Sequence, residues 1–116
     1  MYLLKINNMK FRGHIGYYPE EKVIGQDLEV DIEVSVKAQG EADQLEATIN
    51  YATIYEQVAQ VVKASRVDLI EALIEEIIEA VGQIDPSRTN RVRVRLRKMN
   101  VPIDGVFDSV EIEMER

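Results

Sequence analysis

Residues 26–37, QDLEVDIEVSVK, alternate without a break. Leu28, Val30, Ile32, Val34 and Val36 form one row, and Asp27, Glu29, Asp31 and Glu33 the other. Successive side chains of a strand point to opposite faces, so a period of two predicts a half-buried β-strand. Residues 2–11 read as an earlier strand, with Leu4 and Ile6 alternating against Leu3, Lys5 and Asn7. Between the two, RGHIGYYPEEKVI (residues 12–24) carries Gly13, Gly16 and Pro19 and predicts a loop. After a polar, small-residue connection at 38–47 the period changes. Tyr51, Ile54, Tyr55, Val58, Val61 and Val62 follow i, i+3, i+4, i+7 spacing, which predicts an amphipathic helix over 50–64. A second helix is predicted over 68–81, with Ile70, Leu73, Ile74, Ile77, Ile78 and Val81 on one side, and GQIDPS stops it.

Period two returns at residues 90–98, where Val92, Val94 and Leu96 alternate with Arg91, Arg93, Arg95 and Arg97. The next position of that apolar row is Lys98. After a turn at NVPIDG, Val110, Ile112 and Met114 alternate with Glu111, Glu113 and Glu115 as a fourth strand. The order β-β-α-α-β-β predicts an α+β domain in which two helices cover one face of a four-stranded antiparallel sheet. The other sheet face is charged. It reads either as a solvated face or, should copies join edge to edge, as the lumen of a barrel that has no open strand edges.

Composition narrows the chemistry. The chain has 116 residues, the size of one domain, and 46% of them are hydrophobic, enough for a core. Its formal charge of −7 argues against a nucleic-acid partner, since phosphate binding wants clustered positive charge. There is no cysteine, which excludes disulfides, thiolate nucleophiles and Cys-ligated zinc, and the one histidine, His14, excludes a His-rich metal centre. No stretch approaches the ~18 apolar residues of a membrane span, and no signal peptide is evident, so a cytoplasmic protein with no metal and no membrane partner is the expectation.

Four residues carry candidate chemistry. Lys98 either snorkels its amine to water or sits at the mouth of a partly apolar pocket, where it can act as an acid–base group. Glu71 flanks the apolar stripe of the second helix. With Asp68 it has the spacing of a capping box, and its two oxygens also suit two parallel N–H donors of a heterocycle. Tyr51 opens the first helix, where a core position is the ordinary reading. Glu21 lies in the first loop, where most glutamates are merely solvated.

Taken together these segments resemble the dihydroneopterin aldolase family of the tunnelling-fold group. The resemblance rests on GHIGYYPEEKVIGQDLEVDIEV, ATINYATI, VDLIEALIEEI and VRLRKMNVPIDG, which occur in that order along nearly the whole chain. It implies a protomer that closes into a tetrameric barrel, commonly stacked as an octamer, with active sites between subunits. It implies retro-aldol cleavage of 7,8-dihydroneopterin, a small-molecule pterin, to 6-hydroxymethyl-7,8-dihydropterin and glycolaldehyde in folate biosynthesis. No cofactor, metal or Schiff base is implied, because the substrate's own C=N bond serves as the electron sink.

Carried over by position, Lys98, Tyr51 and Glu21 are the catalytic group, with Tyr51 reaching in from the adjacent subunit. Glu71 anchors the pterin, Ile70, Leu69 and Tyr18 wall it, and Ile49 and Asn50 stand beside Tyr51. Two departures from the common family pattern stand out: Ile15 precedes Gly16 where many members have histidine, and Lys98-Met99-Asn100-Val101-Pro102 replaces a proline close behind the lysine. The resemblance leaves room for C2′ epimerisation, for a sister activity as an epimerase of the triphosphate, with Lys22 and Arg12 as phosphate ligands, and for a non-catalytic pterin-binding ring.

Overall fold

The structure, a computed structural model, describes residues 1–37, 43–45 and 48–116, so most of the expected connection at 38–47 lies outside the described residues. The elements are β1 (Tyr2–Gly13), α1 (Pro19–Ile24), β2 (Gln26–Val36), α2 (Tyr51–Ala64), α3 (Ile70–Gly82), β3 (Thr89–Lys98) and β4 (Val110–Glu115). The four strands form one antiparallel sheet in the order β1-β2-β3-β4, as the alternating patterns predict. No helix among the described residues is long and apolar enough to cross a membrane.

The loop expected over 12–24 contains a helix, α1. Pro19 sits at its first turn with acids beside it, and Gly25 ends it with φ +81°, a conformation that favours glycine. β1 holds as a strand but is irregular. Leu4 and Ile6 face inward opposite Val34 and Ile32, but Met9 and Phe11, on the other parity, also face inward opposite Val30 and Leu28. The register slips between Ile6 and Met9, and Asn8 takes φ +58°. This is a β-bulge: one extra residue keeps both apolar pairs on one face.

The helices cover that inner face. α3 buries Ile70, Leu73, Ile74, Ile77, Ile78 and Val81, the whole predicted stripe. Its isoleucines are only moderate helix formers, and burial against the sheet outweighs that preference. α2 buries the narrower set Ile54, Val58 and Val62. Asn50 caps it by accepting the Ala52 N–H at 2.9 Å. No side chain caps α3, which starts after Leu69, so the expected Asp68–Glu71 capping box does not form. Asp68 instead pairs with Lys22 of α1.

The outer face is a ladder of charge. Arg93, Arg95 and Arg97 stand in register between Glu33, Asp31 and Glu29 of β2 and Glu115, Glu113 and Glu111 of β4. Each arginine therefore has an acid on both flanks, and opposite charges across neighbouring strands stabilise such a face modestly. Arg97 is the best placed. Its Nη1 and Nη2 reach Asp31 at 2.8 and 3.0 Å, and Nη1 reaches Glu111 at 2.9 Å. Asp31 also accepts the Asn8 N–H of the bulge at 2.6 Å. The Arg97 hydrogen bonds, only partly opposed by burial, hold the Asp31 carboxyl below the usual aspartate range.

A carboxyl depressed in the folded state stabilises the fold above its unfolded pKa, and the effect fades as pH falls through the folded one. Asp31→Asn is therefore expected to lower stability at neutral pH by about 1–3 kcal/mol, with the gap to wild type closing below about pH 4. Denaturant unfolding at pH 7 and pH 3 measures both.

Candidate active site

Lys98 ends β3 on the inner row, opposite Leu28 of β2 and Val110 of β4. The ladder continues one step further, with Met99 N–H donating to Asp27 O at 3.2 Å, so the end of the strand is held. The lysine does not run out into solvent: its side chain is 19% exposed, and its Nζ lies 2.9 Å from Glu21 Oε2. Glu21 comes from α1, which packs over this end of the sheet, and its side chain is equally covered at 18%. The amine that ends the apolar row thus meets a carboxylate and not a purely apolar wall.

The carboxylate is held from several sides. Tyr18 N–H donates to Oε1 at 3.1 Å, reaching forward from the start of α1. Gln26 Nε2 lies 3.4 Å from Oε2 and donates to Ile15 O at 2.6 Å. The Lys98 hydrogen bond, opposed by burial and reinforced by Tyr18, holds the Glu21 carboxyl below the usual glutamate range. Gly16 makes room for this packing. Its φ is +145°, and a Cβ there would fall 2.7 Å from Glu21 Cδ and 2.8 Å from Oε1, with Glu21 Cβ closer still. Gln26 and Gly16 are the two residues that sequence reasoning missed. The only signal was a Gly-Gln pair entering a strand and one more glycine in a glycine-rich loop.

The same loop is tied to the start of α3. Gly16 N–H donates to Val67 O at 3.0 Å, and Lys22 pairs with Asp68. Leu69, Ile70 and Glu71 are thereby brought to the Lys98 end of the molecule. Leu69 is 52% exposed and Glu71 half-buried, while the Ile70 side chain is turned into the core. Tyr18 is exposed and stands edge-on to Tyr17, with ring centroids 5.3 Å apart. Tyr18, Glu20, Glu21, Ile24, Gln26, Asn100 and Pro102 line a cleft of about 380 Å³ beside the ion pair. His14 is occupied structurally, its Nδ1 lying 3.0 Å from Lys22 O, and Ile15 is fully buried.

Tyr51, Asn50 and Ile49 are elsewhere. They stand at the N-terminus of α2, whereas the α1 loop touches the connection beyond its C-terminus. At 1.5 Å per residue the helix sets the two ends roughly 20 Å apart. Tyr51 is not a core tyrosine, since it is 68% exposed. Asn50 serves as the cap of α2, and Ile49 is buried behind it. One protomer therefore does not bring Tyr51 to Lys98.

These features define an α+β protein with an amine–carboxylate pair over one end of its sheet, set beside an exposed helix start and an open cleft. The sequence profile of the FolB dihydroneopterin aldolases matches residues 4–115. The chain is 37% identical to the dihydroneopterin aldolase of Staphylococcus epidermidis, over 98% of this chain and 95% of that one. It is 36% identical to that of Bacillus subtilis, over 96% and 93%. The structure of the Escherichia coli dihydroneopterin aldolase in complex with neopterin superposes with a TM-score of 0.81 at 26% identity, covering 100% and 99% of the two chains. The chain belongs to the dihydroneopterin aldolase family.

Gly16→Ala is expected to displace Glu21 and break its contact with Lys98 while the sheet stays intact. The checks are circular dichroism, which should be unchanged, and activity, which should fall at least tenfold if the pair is catalytic.

Proposed function

We propose that this chain is a 7,8-dihydroneopterin aldolase acting at sites assembled between copies of itself. The observation that carries the reading is the Lys98–Glu21 pair, 2.9 Å apart, at the same end of the molecule as Glu71 and the open start of α3. A planar pterin presents an N–C–N edge whose donors match the Glu71 carboxylate. Leu69 and Tyr18 supply apolar surface beside it, with Ile70 contributing chiefly through its backbone.

With the ring held there, the reaction needs few groups. Lys98, acting through a bound water, takes the proton of the C2′ hydroxyl. The C1′–C2′ bond breaks, C2′ leaves as the carbonyl carbon of glycolaldehyde, and the bonding electrons pass into the pterin C=N bond. The enamine so formed takes a proton at C1′, which becomes the hydroxymethyl carbon. Tyr51 is the group that delivers it. Lys98 acts as an acid–base residue and forms no Schiff base, since the substrate itself accepts the electrons. Glu21 orients the amine and its water. Re-addition of glycolaldehyde on its other face, before product leaves, inverts C2′ and accounts for an epimerase side reaction.

The half-site geometry explains the oligomer in this reading. Since α2 holds Tyr51 roughly 20 Å from the loop of Glu21, the tyrosine must come from a second copy. Pairing β1 of one copy with β4 of the next would close four sheets into a barrel with the charged ladder as its lumen, and it would cover both open edges. Rings of this kind stacked in pairs give the octamer.

The triphosphate alternative fits less well. Its two candidate phosphate ligands are already engaged. Lys22 pairs with Asp68, and Arg12 donates to Asp27 at 2.9 Å and to Ile24 O at 3.2 Å. The free polyol asks for no such cations.

Lys98→Ala is expected to cost on the order of 10²–10⁴ in turnover of 7,8-dihydroneopterin, with both products followed by chromatography. Near wild-type turnover would overturn the assignment. Two inactive proteins, Lys98→Ala and Tyr51→Phe, refolded together in equal amounts should recover about a quarter of wild-type activity, because that share of interfaces keeps both groups. No recovery, with mixed oligomers shown by native mass spectrometry, would place both groups in one protomer.

A further inference from the structure

Gln26 is the first residue of β2 and is only 6% exposed, although nothing in the apolar pattern requires a polar side chain there. Its Nε2 faces two acceptors, Ile15 O at 2.6 Å and Glu21 Oε2 at 3.4 Å. Turning the amide over would set an oxygen against both, so the partners dictate the orientation. The consequence is that Gln26 Oε1 is buried with no donor among the described residues. Buried acceptors are ordinarily satisfied, and an apolar side chain filling this position would avoid the cost. What the amide gains instead is contact of its Nε2 with both the Ile15 carbonyl and the Glu21 carboxylate.

We propose that Gln26 is a positioning residue for the acid–base pair: its amide locks the rotation of the Glu21 carboxylate so that Oε2 faces Lys98. This rests on the catalytic reading of Lys98 and Glu21 given above. The terminal torsion of a glutamate is broad and nearly two-fold, so by itself it does not distinguish the two oxygens. Tyr18 N–H on Oε1 comes from the same turn of α1 and moves with it. Gln26 is different. It belongs to the sheet, it does not titrate, and through Ile15 O it ties the glycine loop to the carboxylate. Gly25, at φ +81°, is the turn that lets the chain pass from α1 straight into this position.

No other ionised side chain among the described residues contacts the Glu21 carboxylate. Lys22 is turned to Asp68, Arg12 to Asp27, and His14 to a carbonyl, while Glu20 points to the adjoining cleft. Lys98 is its one charged partner, and Gln26 its one neutral side-chain partner.

The test uses the full chain with Gln26→Leu, Gln26→Glu and Gln26→Leu combined with Glu21→Gln. It reads kcat, KM and the ¹³C titration of the side-chain carboxyls, with Glu21 assigned by its loss in Glu21→Gln. Gln26→Leu should lower kcat roughly 10–100-fold, the range for partners that orient a reactive group, and leave KM within about threefold. The Glu21 titration should move upward, and further in Gln26→Glu, where two carboxyls would face each other. In the Glu21→Gln background Gln26→Leu should cost less than about twofold, because the group it orients is gone.

An unmoved Glu21 titration in a folded variant, or the same loss of kcat in both backgrounds, overturns the proposal. If Gln26→Leu fails to fold, the near-isosteric Gln26→Glu carries the titration. If the wild-type protein releases no glycolaldehyde, the functional reading falls, and the carboxyl titration still decides whether Gln26 governs Glu21.

Discussion

An amine has to be satisfied at the end of an otherwise apolar row, and much of the molecule is arranged around that constraint. Lys98 occupies the inner face of β3, where the preceding inward residues are Val92, Val94 and Leu96. A covered ammonium needs a counter-charge or hydrogen-bonding partners, because burial without them is costly. The chain supplies the partner from far away in sequence, by folding the segment after β1 back over the end of the sheet. That segment must be helical to aim Glu21 inward and must carry a glycine at residue 16 to lie close enough. It must also end in a glycine turn to re-enter the sheet at Gln26. The contacts from Gly16 to Val67 and from Lys22 to Asp68 then set the start of α3 against the same loop. The Lys98–Glu21 pair and the loop architecture share one set of contacts.

The two faces of the sheet solve different problems. The inner face is sealed by α2 and α3 and supplies most of the hydrophobic stabilisation. The outer face holds two acidic rows with the arginines in matched register between them, and Lys5 adds a contact to Glu33 at 3.3 Å. Such a face tolerates water, as in an isolated protomer, and equally tolerates being gathered into a polar lumen. It would not tolerate the removal of the arginines, since the acids of β2 and β4 would then face one another across β3. The Asn8 bulge is bound into this ladder through Asp31, so the correction that keeps the inner row of β1 in phase is anchored from the outer face.

The length of α2 separates the candidate groups. Within one chain it keeps Tyr51 apart from the loop that meets Lys98, and it leaves the tyrosine exposed at 68%. An exposed aromatic at a helix start, far from the groups it is expected to work with, is what the proposed site between two copies requires.

Periodicity alone determined the four strands, the two long helices, the inward rows of β2, β3 and α3, and the placement of Lys98 at the end of one. These are local and repeated signals: every second or every third-to-fourth residue reports the same face, so single exceptions do not obscure them. The candidate residues Lys98, Glu21, Glu71 and Tyr51 were legible as well, but only as a constellation matching a family, since each has an ordinary reading by itself. Tertiary structure decided the rest. The parity change at Asn7-Asn8 became a bulge because both apolar pairs of β1 had to reach the same core. α1 formed where glycine and proline suggested only a loop, because Glu21 could then meet Lys98. Asp68 gave up the capping role for an ion pair with Lys22. Gln26 and Gly16 acquired importance only once two distant segments touched. Contacts of that kind depend on the angle at which a loop returns and on what it meets there, and no periodic pattern along the chain encodes either.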